Sequence, residues 1–85
     1  MTVTIFVPDI AEFEPILTGA RARDDVAVRG PTKGYWRIEA EREICFGRRE
    51  LKLGPAIWNS ALTGGFRGRI TEYSRDVMRI ISEDE

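Results

Sequence analysis

Histidine is missing from this 85-residue chain, and cysteine occurs once, as Cys45. Without imidazole there is no ready proton shuttle near neutral pH, no Ser-His or Cys-His nucleophile, and no usual zinc or copper ligand set. A lone cysteine cannot form an internal disulfide. Cys45 stands between Ile44 and Phe46 in a strand-like run and reads as a small apolar residue, with no neighbouring base or helix start to activate its thiol. No run approaches the roughly 20 apolar residues that span a bilayer, and Met1 to Phe6 lacks the basic and apolar regions of a secretory signal. The expected location is cytoplasmic. There is no Gly-Lys-Ser/Thr phosphate loop. The glycines of Gly64-Gly65-Phe66-Arg67-Gly68 follow a helix instead of leading into one, the wrong polarity for cradling phosphate. These absences weigh against an enzyme, and they leave no catalytic, cofactor-binding or metal-binding residue and no cofactor to assign.

What is present suits one small folded domain. The chain is 42% hydrophobic and 32% charged, with a net charge of −1, far from the composition of a disordered segment. A core this small is marginal, and association with another subunit would help it. The domain is expected to cover residues 1–81, with 82–85 as a frayed acidic tail. Charge is unevenly spread: residues 1–20 carry three acids and no base, residues 21–79 carry all 13 bases against 8 acids, and 83–85 are all acidic. Eleven of the 13 bases are arginine, suited to bidentate contact with carboxylate or phosphate.

Met1 to Val7 alternates, with Val3, Ile5 and Val7 on one side and Thr2, Thr4 and Phe6 on the other, which predicts a strand closed by Pro8. Asp9 and Glu12 have capping-box spacing at the start of one or two helical turns over residues 9–19, broken or kinked near Pro15 and stopped by Gly19. Ile10, Phe13, Ile16 and Leu17 should face the core. Val26 to Arg29 predicts a short strand and Gly30 to Gly34 a turn. From Tyr35 to Phe46 the even positions Trp36, Ile38, Ala40, Ile44 and Phe46 face inward, interrupted at Arg42, where the run should bend or divide. Gly47-Arg48 suits a hairpin loop returning through Leu53, and Pro55 opens a second helix over Ala56 to Thr63, ended by Gly64-Gly65. A last hairpin joins Phe66–Tyr73 to Val77–Ile81 through Ser74-Arg75-Asp76. The sum is an α+β fold of approximate order β-α-β-β-β-α-β-β, a largely antiparallel sheet of about five to six strands with two short helices on one face.

Three sets of residues bear on function. Trp36, Trp58 and Phe66 are large apolar groups that a small core need not cover, and form a candidate interface. Arg37, Arg67, Arg69 and Arg79 are candidate anion contacts if two or more converge. Glu39, Glu41 and Glu43 lie along one strand face and read as a solvated face paired with arginines such as Arg67 and Arg69. Cations do mix with aromatics here, yet Trp36 and Phe66 fall in the inward sets and the glutamates repel phosphate, so nucleic-acid binding is disfavoured. The leading expectation is a non-catalytic protein-interaction or accessory-subunit module, with a protein partner or a homo-oligomer. A small-molecule or anion-binding domain is the alternative, and no membrane partner is expected.

Overall fold

The computed structural model describes residues 2–83. Its strands are Val3–Pro8 (β1), Ala27–Thr32 (β2), Tyr35–Ala40 (β3), Glu43–Gly47 (β4), Phe66–Arg67 (β5), Arg69–Tyr73 (β6) and Val77–Ile81 (β7). Glu14–Arg21 (α1) and Pro55–Asn59 (α2) are α-helices, and Ala11–Phe13 is a 3-10 turn. The protein is therefore α+β as expected, but its strands divide between two antiparallel sheets, ordered β2-β3-β1-β5 and β4-β7-β6.

Alternation sets the inner faces. Val3, Ile5 and Val7 of β1 lie opposite Ala40, Ile38 and Trp36 of β3, and all but the half-buried Trp36 are buried. Ile44 and Phe46 of β4 lie opposite Ile80 and Met78 of β7, all buried. The chain changes sheets at two places. The first is Glu41-Arg42, where the apolar row breaks and β3 gives way to β4. The second is Gly68, whose φ of +132° is open only to glycine and where a Cβ would stand 2.7 Å from the Ile81 carbonyl and 2.8 Å from Ile80 Cγ2. The chain there squeezes between β1 and β7, passing from one sheet to the other in a single residue.

Helix α1 contributes Ile16, Leu17 and Ala20 to the core beside Phe13. Pro15 sits in its first turn, as its fixed φ allows. Two local expectations fail here. Asp9 does not cap the helix, because its carboxylate accepts the Trp36 indole N–H at 3.0 Å, and Ile10 is left 49% exposed. Gly19 does not stop the helix, which runs on to Arg21; the glycine instead makes room for the Leu51 side chain, which packs where a Cβ would stand.

The segment after β4 is also not the expected hairpin. Leu51 and Leu53 are buried as anticipated, but in tight turns bonded back to Gly47 and Arg48, while β4 takes β7 as its partner. Arg48 holds this fold by donating to the carbonyls of Leu53 (3.1 Å) and Arg75 (3.1 Å) and to the Asp76 carboxylate (3.0 Å). Helix α2 ends at Asn59, and successive three-residue turns continue to Gly65. Ser82 is buried and its N–H donates to the Arg42 carbonyl at 2.8 Å, so it belongs to the fold and not to the expected tail. Asp84 and Glu85 lie outside the described residues. Among the described residues, no helix is long and apolar enough to cross a membrane.

Candidate interaction surface

Open sheets end in strands with unused main-chain donors and acceptors, and the two sheets have four such edges. Three are blunted. β2 contains Pro31, which has no N–H, at a shift in register. β5 is two residues long. Along β4 the Arg23 guanidinium donates to the Cys45 carbonyl at 2.6 Å, and Glu50 accepts the Gly47 N–H at 3.3 Å. Arg23 is itself fixed by Asp25 at 2.8 Å and Glu50 at 3.3 Å and lies over the Phe46 ring. The hydrogen bond from Arg23 holds the Asp25 carboxyl below its ordinary range, and the same bond pushes Arg23 further up. This strap seals the edge.

The fourth edge, β6, is exposed along all five residues. Opposite it in β7 are Ile80, paired with Ile70, and Met78, paired with Tyr73. A register shift between Ile70 and Glu72 leaves these two residues, three apart, on the same core-facing side. Ile70 and Tyr73 are 37% and 38% exposed. The other side of β6 presents Arg69 and Glu72, opposite Ile81 and Arg79. Its far end is held rigidly. The Tyr73 hydroxyl donates to the Trp58 carbonyl at 2.6 Å, the Trp58 indole N–H donates to the Ser74 carbonyl at 2.8 Å, and the two rings meet edge to face with centroids 5.9 Å apart. Burial pushes the Tyr73 hydroxyl above the ordinary tyrosine range.

The three expected interface residues thus part company. Phe66 is 36% exposed on β5, opposite Ile5 of β1, and is not placed with the two tryptophans. Trp58 is 1% exposed and serves as the lock just described, so it is not available to a partner. Trp36 is half-buried, tied to Asp9 and covered by the Arg21 guanidinium 5.1 Å from its ring centroid. Ile70 and Tyr73 were not singled out by sequence, since only the register with β7 reveals that both face the open side of the core.

The four candidate anion contacts divide between the sheets. Arg69 and Arg79 are in the second sheet, where Arg79 donates to the Glu43 carboxylate at 2.7 Å. Arg37 and Arg67 are on the outer face of the first, near Arg29. The glutamate row is divided too, and its partners are not Arg67 and Arg69 as expected. Glu39 binds Arg29 at 2.7 Å with Arg37 at 3.6 Å, and Glu43 binds Arg79. Glu39, Glu41 and Glu43 line a shallow concavity of about 720 Å³ together with Asp24, Asp25, Arg29 and Arg42. No three acidic or cysteine side chains among the described residues are placed to hold a metal ion. No known protein-family profile matches the sequence, and none of the curated proteins matches it.

Proposed function

We propose that this protein is a non-catalytic interaction module that associates with a second copy of itself through the edge of β6. The observation that carries the reading is the pairing of an exposed five-residue edge strand with its own half-exposed apolar side chains, Ile70 and Tyr73. An edge of this kind offers main-chain hydrogen bonds, and side chains at its flank supply the apolar burial that makes them worthwhile. Charge favours a second copy as occupant. Arg69 and Glu72 stand on one side of the strand, so an antiparallel approach brings each Arg69 toward the partner's Glu72, whereas a parallel approach sets like beside like. The irregularity at Ile70–Glu72 limits the length of a regular ladder, which places more of the contact on Ile70 and Tyr73.

Light scattering at micromolar concentration tests the reading. The expected mass is twice the 9.7 kDa of the chain, falling to the single-chain value in Ile70→Glu, whose carboxylate cannot be desolvated in the contact. A native protein of single-chain mass at every concentration removes the proposal.

A further inference from the structure

The outer face of the first sheet combines cations and rings in a way the sequence conceals. Directly opposed residues of neighbouring strands share a face. The register therefore gathers Arg29, Arg37 and Phe6 in one row and Glu39, Thr4 and Arg67 in the next, with Tyr35 beside Pro8 at the end. Phe6 and Tyr35 lie on β1 and β3, the two central strands. Tyr35 is exposed and Phe6 half-buried, with the Arg67 guanidinium 5.9 Å from its ring centroid. One carboxylate, Glu39, serves both Arg29 and Arg37, and Glu83 stands at the rim near Arg67. Arg37 makes one long acid contact, at 3.6 Å, and its side chain is 42% exposed although its Nε is buried without a hydrogen-bond partner among the described residues, so its outer nitrogens are the ones open to a phosphate.

We infer that this face binds single-stranded nucleic acid, with one base on the exposed Tyr35, a second displacing the Arg67 guanidinium from the Phe6 ring, and the phosphate chain along Arg29, Arg37 and the freed Arg67. Trp36 and Phe66 lie on the opposite side of the sheet from these cations, but Phe6 shares their side, and Glu39 is outnumbered there by Arg29, Arg37 and Arg67. Rings on central strands are diagonal neighbours, about 7–8 Å apart along the sheet. Unpaired bases reach such rings flat, whereas a duplex keeps its base faces stacked inside. A small anion would use the arginines alone and would be indifferent to Phe6 and Tyr35. The inference is independent of β6, which edges the other sheet.

Fluorescence anisotropy decides it, using labelled thymidine and uridine oligonucleotides of about ten nucleotides, a length within the usual site sizes of sheet-based binders. A duplex of the same length and inorganic polyphosphate serve as competitors. The expected result is binding that weakens steeply with salt and prefers single strands over duplex. Phe6→Leu and Tyr35→Ser, checked for native circular dichroism, should each weaken it roughly tenfold through lost stacking. Arg67→Gln should lower the slope against log salt by about one. No binding at low salt overturns the inference. So does binding that is insensitive to both ring substitutions and displaced equally by polyphosphate, which would mark the face as a general polyanion site.

Discussion

The two edges of the second sheet differ in a way that composition alone would not suggest. β4 and β6 have the same length and flank the same central strand, β7. Along β4, Arg23 and Glu50 satisfy main-chain groups at Cys45 and Gly47, and Arg23 is tied down by two carboxylates. Along β6 all five residues remain exposed, and apolar side chains are left at the flank. The fold places a three-member charged strap, Arg23 with Asp25 and Glu50, on one of these two edges. The difference teaches where contact is permitted: the protein closes β4 and leaves β6 open.

The contrast can be broken most severely at Trp58, which anchors the end of β6 through its carbonyl and indole N–H. Trp58→Ala should cost about 3–5 kcal/mol, comparable to the whole stability of a domain this size, so a thermal melt is expected to show a largely unfolded chain. A native melt would mean that β6 is held by something else. Arg23→Ala sharpens the comparison from the other side. It removes a charge-assisted bond and should cost about 1–3 kcal/mol in urea denaturation. It also opens the second edge, so light scattering should reveal species larger than the proposed dimer.

The smallest effect is at Tyr73. Its hydroxyl is raised by burial, so its contribution to stability is complete below the ordinary tyrosine value of about 10 and is lost as pH rises through the higher folded value. Tyr73→Phe should cost about 0.5–1.5 kcal/mol near neutrality and should flatten the alkaline decline. An unchanged alkaline limb in that variant would show that Tyr73 is not the group responsible.

Period-two alternation made the inner faces of β1, β3, β4 and β7 legible, because burial on one side of a strand dictates which residues are apolar. The break at Arg42 and the interruption near Pro15 were readable from local sequence, although the helix starts at Glu14 and not at Asp9. Strand partners were not. Alternation states which way a side chain points and is silent on which strand lies beside it, so Gly47-Arg48 looked like a hairpin although β4 pairs with a strand thirty residues on. The candidate surfaces suffered similarly. Phe6 was correctly assigned to the polar side of β1, but its nearness to Arg37 and Arg67 arises from long-range register. Ile70 and Tyr73, three residues apart, violate strict alternation and share a side only through the irregularity between them.

Amide hydrogen exchange, followed by mass spectrometry over a range of protein concentrations, tests the central claim most directly. If β6 is the contact, residues 69–73 gain protection as concentration rises, while residues 43–47 of β4, already sealed by Arg23 and Glu50, exchange at a constant rate. A doubling of mass without added protection at 69–73, or with the change confined to β4, would contradict the account.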